Sequence, residues 1–255
     1  MSTLLIIFLG LVCAAFVNYL ADVLPIQRQL VAPTCPACNT SFNLLNYLTF
    51  TPCRICQARR SLRSYIVLVS GGLIAFSLWN WPPAIGFSLS LLILTYFGVV
   101  AVIDIEHRLI MHVVSAAGAI LFAVMGIILN GWLVTLLGGL AGGGVMLLFY
   151  IIGTGFSKYR AKKLGSDDEE EALGFGDVTI SAVLGLLVGW PGIMLTLLIG
   201  VLLGGLFSLL TIIGLSALRR YDPLNVFTAY GPFLLIGAVM MIFFREPVLG
   251  FFFGG

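Results

Sequence analysis

Long apolar runs separated by short polar stretches make up most of this chain. A run of about 20 apolar residues is long enough to cross the roughly 30 Å hydrocarbon core of a bilayer as a helix. The pattern predicts eight such segments, at residues 3–24, 64–79, 83–103, 111–129, 132–153, 177–189, 191–215 and 229–245. We expect the phenylalanines at 251–253 to lie in the membrane interface. The predicted fold class is therefore all-α, a polytopic membrane protein with about eight transmembrane helices.

Composition agrees with this pattern and excludes an ordinary soluble domain. The 255 residues are 60% hydrophobic and 9% charged, with a mean hydropathy of +1.11. The 30 glycines suit helices that approach one another closely in lipid. No basic residue precedes the first run, so we interpret it as a retained span and not as a signal peptide. We therefore expect the chain to be surrounded by membrane lipid. Nucleic-acid binding has no support, because the sequence has no contiguous basic stripe.

The basic residues predict an orientation for the spans. Cytoplasmic loops of membrane proteins carry an excess of lysine and arginine. Twelve of the 13 basic residues fall in loops that eight spans place on one side, and only Arg245 falls opposite. The four basic loops follow spans one, three, five and seven, whereas the turns between them carry no basic residue. This asymmetry predicts that both termini lie outside the cytosol.

Two aspartates lie at span ends, where a charge is costly and therefore a functional hypothesis. Asp104 ends the third predicted span and Asp177 begins the sixth, so both face the cytosol at a similar depth. Two carboxyls a few ångströms apart share a proton, and such a pair can serve as acid and base on water and a carbonyl, as in aspartic proteases. We predict that Asp104 and Asp177 form this catalytic pair.

Residues beside the two aspartates are candidates for a supporting or substrate-binding role. Gly174 and Gly176 precede Asp177 in a G-x-G-D turn, and glycine would let an extended peptide lie close to the backbone. Glu106 and Arg108 are expected to tune or orient the segment that carries Asp104.

Structural alternatives exist for each aspartate. Asp177 could be a helix N-cap, for which aspartate is favoured. Asp104 could be solvated in its loop or paired with Arg108. Asp22, near the cytosolic end of the first span, is a rival of similar depth that lacks a glycine turn. His107 and His112 lie nearby, but no third metal ligand accompanies them.

The cytosolic loop at residues 25–63 carries four cysteines in a C-x2-C-x14-C-x2-C arrangement. Thiols stay reduced in the cytosol, so a metal site is favoured over two disulfides or a redox pair. Four thiolates close a tetrahedral site with no open position, which predicts structural zinc and not catalytic zinc. The ligands would be Cys35, Cys38, Cys53 and Cys56. The predicted division of the chain is a first helix (1–24), this zinc loop (25–63) and a multi-helix membrane domain (64–255).

These motifs, in this order, resemble the prepilin peptidases, the type IV leader peptidase group of intramembrane GxGD aspartic proteases. Beyond the cysteine loop, the Asp104 segment and the G-x-G-D turn, the resemblance includes a loose match at residues 15–20 and 24–25, and residues 230–233. It implies that Asp104 and Asp177 are the catalytic aspartates and that the four cysteines bind zinc. It implies cleavage of the basic leader of prepilins and pseudopilins at the cytoplasmic face of the bacterial inner membrane. Many members also methylate the new N-terminus with S-adenosylmethionine.

The chain departs from the family pattern at two positions near the aspartates. Met111 stands where members commonly have proline, and Thr179 where they commonly have lysine. Both catalytic carboxylates are retained, so the resemblance still implies a peptidase, while methyl transfer is less strongly implied.

Two other classes of function are compatible with an apolar chain that carries two carboxylates. A transporter or channel would use the carboxylates to couple protons or cations, and it predicts further ionisable residues along the spans. Spans three to six contain no charged residue beyond their cytosolic ends. A methyltransferase alone would need a glycine-rich nucleotide-type pocket, which this helical pattern does not suggest.

Overall fold

The fold was determined as a computed structural model that describes residues 3–35, 37–38, 40–48, 50–164, 174–217 and 229–253. Within these residues every regular element is a helix, and the only strand-like contact is an isolated bridge between Thr34 and Ser41. The helices are α1 Thr3–Gln27, α2 Leu44–Leu48, α3 Leu62–Asn80, α4 Phe87–His107, α5 His112–Asn130, α6 Trp132–Leu164, α7 Phe175–Val188, α8 Gly192–Ala217, α9 Gly231–Phe243 and α10 Arg245–Phe253. The all-α prediction is confirmed.

Each of the eight predicted spans coincides with a helix, but the count of eight crossings is not confirmed. Among the described residues, six helices are long and apolar enough to cross a membrane, and a seventh candidate is the pair of α9 and α10, which is bent by 101°. Helix α7 has 14 residues and rises only about 21 Å, less than the roughly 30 Å of a hydrocarbon core. The molecule is a multi-pass membrane protein in which α7, although apolar, is too short to cross a hydrocarbon core by itself.

Many apolar side chains on the long helices are exposed on the surface of the chain. Leu4 is 80% exposed and Ile128 is 75% exposed, and many other leucines, isoleucines and phenylalanines resemble them. Such continuous apolar surface suits contact with lipid tails and would aggregate in water.

The chain divides into two compact units, residues 1–107 and 108–255. In the first unit α1 packs against α3 and α4. Helices α1 and α3 pack closely because both have glycine at the contact. A Cβ atom on Gly10 would lie 2.5 Å from the carbonyl oxygen of Gly71. Asn18 is buried in α1 and donates a hydrogen bond from Nδ2 to the carbonyl of Ser64, at 3.0 Å.

In the second unit the short helix α7 packs between longer helices, mainly against α6 and α5. A Cβ atom on Gly138 or Gly185 would overlap the carbonyl of the other residue, so the two backbones are in contact. Two glycines with positive φ, Gly131 (85°) and Gly189 (76°), end α5 and α7. These features hold α7 firmly along the apolar part of α6.

Helix α6 ends 11 residues beyond the predicted span, at Leu164 and not at residue 153. Hydropathy reports only the apolar run, so the predicted span stops where that run ends. The helix itself continues because the polar residues that follow include good helix formers. The basic pair at 219–220, in the basic loop after the seventh predicted span, lies outside the described residues.

Candidate active site and metal centre

The four cysteines of the loop come together as predicted. Their sulfur atoms all lie within 4.8 Å of one another. The Sγ–Sγ distance is 3.5 Å for Cys35 and Cys56 and also 3.5 Å for Cys38 and Cys53. Four thiolates around zinc, at about 2.3 Å from the metal, would be about 3.8 Å apart. The cluster can therefore hold a metal ion, and it is the only such group among the described residues.

Backbone hydrogen bonds shape the loop so that its two cysteine turns converge. The amide of Cys35 donates to the carbonyl of Thr40 at 2.8 Å, and the amide of Cys53 donates to the carbonyl of Ala58 at 3.1 Å. A hydrogen bond from the Thr40 side chain lowers the pKa of Cys38 to about 6. The deprotonated thiol is the form that binds metal. The loop thus suits a metal in its geometry.

Asp22 lies beside this loop and is held by three side chains. The Tyr47 hydroxyl donates a 2.6 Å hydrogen bond to Oδ2, and Arg60 Nη1 lies 3.1 Å from the same oxygen. Arg63 pairs with the other oxygen, Oδ1. Burial and then the charge of Asp22 raise the pKa of Tyr47, so its hydroxyl stays protonated and can donate. Asp22, the sequence-level rival of the two aspartates, is a structural ion-pair partner.

Arg60 joins the loop to the first helix through aromatic rings as well as through Asp22. Its guanidinium carbon lies 3.7 Å from the centre of the Tyr47 ring. The rings of Phe42 and Phe50 are at 5.4 Å and 5.8 Å. Cation–π contacts of this kind are strongest where water is excluded, and the Arg60 side chain is only 9% exposed. The short loop is thereby fixed to the end of α1.

Asp104 lies in the last turn of α4 and is 5% exposed. The interpretation of Asp104 as a solvated loop residue is therefore wrong. Glu106, two residues later, is ion-paired with Arg63 at 3.0 Å from Nε to Oε1. Arg108 begins the second unit, and its φ of 51° is unusual for a residue with a side chain.

The G-x-G-D turn begins α7, and Gly174 is its N-cap residue with an extended backbone. The amide of Asp177 donates to the carbonyl of Gly174 at 3.0 Å. Asp177 is thus in the first helical turn, where the helix dipole favours a negative charge, and the interpretation of it as the N-cap itself is wrong. It is 8% exposed. A Cβ on Gly176 would lie 2.8 Å from the Cβ of Ile110, so only glycine fits beneath this isoleucine.

Helix α6 indicates how deep the turn lies. The ring of Phe175, at the start of α7, contacts the ring of Tyr150, with centres 5.8 Å apart. The first charged residue of α6 is Lys158, eight residues after Tyr150, or about 12 Å further along the helix. The start of α7 therefore lies beside the apolar length of α6, and Asp177 is a carboxyl group in an apolar layer.

Tyr230, immediately before α9, is a packing residue to which the sequence analysis assigned no role. A Cβ atom on Gly204 would lie 2.8 Å from Cε2 of its ring, so the ring packs closely on α8. Its hydroxyl donates to the carbonyl of Val201 at 3.1 Å. The only signal in the sequence was that Tyr230 begins a segment shared with the resembled family.

The predicted site residues thus divide between the two units. The four cysteines, Asp104 and Glu106 belong to the first unit, together with the unpredicted partners Tyr47, Arg60 and Arg63. The second unit contains Arg108, Gly174, Gly176 and Asp177.

Comparison with known proteins gives one family match. Residues 90–209 match the model of the type IV leader peptidase family. The chain is also similar to a protein of Aeromonas salmonicida strain A449, described as prepilin leader peptidase/N-methyltransferase. The two are 27% identical over 224 residues, which cover 84% of this chain and 72% of the relative. A second A. salmonicida sequence with the same description matches equally well. No solved structure matches the chain.

Proposed function

We propose that the chain removes the N-terminal leader from type IV prepilins and pseudopilins, which is supported by the match of residues 90–209 to the type IV leader peptidase family. The reaction takes place at the cytoplasmic face of the bacterial inner membrane. The proposed orientation leaves both termini outside the cytosol and places the cysteine loop, Asp104 and the G-x-G-D turn on the cytosolic side.

Asp104 and Asp177 form the catalytic pair in this proposal. One carboxylate takes a proton from a water molecule whose oxygen attacks the scissile carbonyl carbon. The other carboxyl gives its proton to the carbonyl oxygen, and the tetrahedral intermediate then collapses. The carbon–nitrogen bond breaks and the leaving amine takes up a proton from the pair. Neither aspartate becomes bonded to the substrate.

The observation that carries the proposal is the placement of Asp177. It is a buried carboxyl in a glycine-flanked turn that begins beside the apolar length of α6. A carboxyl at such a depth is costly and points to function. Within the second unit Ile110 packs on Gly176, so the segment before α5 covers the G-x-G-D turn.

The other predicted residues have supporting roles. Gly174 and Gly176 leave backbone room for an extended substrate, and Glu106 and Arg108 orient the segment after Asp104. The four cysteines hold a structural zinc ion, which would stabilise the fold of residues 25–63 and take no part in the cleavage step. The division into 1–24, 25–63 and 64–255 is part of the same proposal.

Methylation of the new N-terminus with S-adenosylmethionine is a further proposed activity, supported by the description of the A. salmonicida relative. The transporter alternative is not favoured, because the family match and the relative both concern leader peptidases.

The test is cleavage of a purified prepilin by the full chain in lipid, followed by mass spectrometry of the product. We expect Asp104→Asn and Asp177→Asn each to lower the cleavage rate by about 10³-fold or more while leaving the unfolding midpoint unchanged. Glu246→Gln, a carboxylate change at an exposed position of α10, is the matched control and should leave the rate unchanged. Wild-type rates in both aspartate variants would exclude the mechanism. The product mass also reports whether one methyl group has been added.

A further inference from the structure

Arg63, at the start of α3, contacts two carboxylates that belong to two other helices. Its guanidinium pairs with Asp22 of α1 and, through Nε at 3.0 Å, with Oε1 of Glu106 in α4. The Arg63 side chain is 20% exposed and that of Glu106 is 33% exposed, so water screens the contacts only partly. All three residues lie in the first unit, where α1 packs against both α3 and α4.

The contact between Arg63 and Glu106 is an ion pair without a well-aligned hydrogen bond. The Nε–Oε1 distance is short, yet Nε makes no hydrogen bond of acceptable geometry. The cluster around it balances two arginines, Arg60 and Arg63, against two carboxylates, Asp22 and Glu106. Removing the charge of any one member leaves an unbalanced charge beside the others.

Glu106 is well placed to fix the direction of the Asp104 side chain. The two residues are two positions apart on one helix, which separates their side chains by about 200° around the axis. Holding Glu106 on one side therefore fixes the rotation of the last turn and so the direction in which Asp104 points. Helix α4 ends at His107, and the terminal turns of helices fray. A contact that holds the last turn of α4 in place therefore affects the position of Asp104.

We propose that Arg63 is a positioning residue for Asp104, acting through its ion pair with Glu106. The proposal rests on the proposed function, since it assigns Asp104 to the catalytic pair. Arg63 touches no reacting atom. It holds the last turn of α4 against α1 and α3 so that the Asp104 carboxyl is presented in one direction.

The kinetic test compares variants of Arg63 and Glu106 with a matched arginine control. We expect Arg63→Gln and Glu106→Gln each to lower kcat by about 10-fold to 100-fold with KM unchanged, since a small misplacement of a catalytic group has an effect of this size. The double variant should be no slower than Arg63→Gln alone, because both changes remove the same contact. Arg63→Lys, which keeps the charge, should recover most of the lost kcat. Arg59→Gln, at an exposed arginine four residues earlier, should behave as wild type.

A second measurement does not depend on activity. Hydrogen exchange of the backbone amides at 103–107 should become about tenfold faster in Arg63→Gln and Glu106→Gln, because the last turn of α4 loses its tether. Amides at 116–126 in α5 should be unaffected. This result is expected even if the chain fails to cleave a prepilin.

The outcomes separate the two proposals. Wild-type cleavage that is abolished in Asp104→Asn, together with unchanged kcat and unchanged exchange in the Arg63 and Glu106 variants, would overturn the positioning role and leave the proposed function standing. Failure of the wild-type chain to cleave would overturn the proposed function, whereas faster exchange would still support the tether. A rise in KM with unchanged kcat would also contradict the positioning role.

Discussion

Asp22 and Asp177 both lie near the ends of apolar helices, but the groups around them differ in kind. Asp22 receives a tyrosine hydroxyl and two arginine side chains, and its side chain is 20% exposed. Asp177 is 8% exposed, follows Gly174 and Gly176, and lies in the first turn of a helix that packs along apolar residues. The surroundings of Asp22 are two arginines and a tyrosine, whereas Asp177 is positioned by a glycine turn at a helix start.

In the proposed function this difference separates a structural carboxylate from a catalytic one. Asp22 is an ion-pair partner that joins the first helix to the cysteine loop. Asp177 is a buried carboxyl in a glycine-flanked turn, a placement that is costly and points to function. The sequence alone left Asp22 as a rival because of its similar depth in the membrane, although it lacks a glycine turn.

The largest expected effect is that Asp22→Asn and Asp177→Asn affect different properties, stability in the first case and cleavage in the second. Asp22→Asn should lower the free energy of unfolding by about 2 kcal/mol, since it leaves two part-buried arginines with less negative charge around them. It should leave the cleavage rate within about tenfold of wild type. Asp177→Asn should do the opposite, losing cleavage and keeping stability. Chemical unfolding in detergent and prepilin cleavage measure the two properties on the same samples.

The comparison would break if Asp22→Asn abolished cleavage without destabilising the chain. Asp22 would then belong to the chemistry, and the ion pairs would have to be reinterpreted as part of the site.

Metal removal should weaken the contacts of Asp22 and leave the effect of Asp177 on cleavage unchanged. Tyr47 and Arg60, two of the partners of Asp22, belong to the cysteine loop, so their positions depend on the fold of that loop. Chelation, or Cys35→Ser with Cys53→Ser, should let trypsin cut after Arg54 and Arg59 about tenfold faster, because proteolysis follows the population of the open loop. In the metal-free chain Asp22→Asn should cost about half of what it costs in the metal-bound chain.

Metal analysis of the purified chain should find one zinc ion for each chain, which is lost in the cysteine variant. Equal trypsin rates with and without metal would show that the loop folds without it. Asp177→Asn should have the same effect on cleavage whichever metal state is compared.

Local sequence patterns were sufficient to predict the helices and the cysteine cluster. The apolar pattern predicted the helices, and the C-x2-C spacing predicted the cluster. The eight predicted spans coincide with helices because length and hydropathy govern both. The C-x2-C pairs converge because each pair already forms one tight turn. Both features depend on residues close together in the sequence.

Long-range contacts were not predictable in the same way. Asp22 is separated by 38 residues from Arg60 and by 41 residues from Arg63, and a loop without periodicity gives no register for pairing them. The packing of Ile110 on Gly176 was equally hidden, since it depends on how the loop before α5 folds over α7. The catalytic pairing of Asp104 with Asp177 stays a prediction.

The smallest expected effect distinguishes the two glycines of the G-x-G-D turn. A Cβ on Gly176 would lie 2.8 Å from the Cβ of Ile110, a branched position that cannot rotate away, whereas a Cβ on Gly174 would meet nothing closer than 3.9 Å. Gly176→Ala should therefore lower kcat by about 10-fold, which corresponds to about 1.4 kcal/mol of overpacking strain at the turn that carries Asp177. Gly174→Ala, the matched control, should stay within about threefold of wild type. Adding Ile110→Gly to Gly176→Ala should restore part of the lost rate, because it removes the side chain that the new methyl group meets. If the two alanine variants were equally impaired, the second glycine would not be required for packing, and the turn would instead need both residues for the close approach of the substrate backbone.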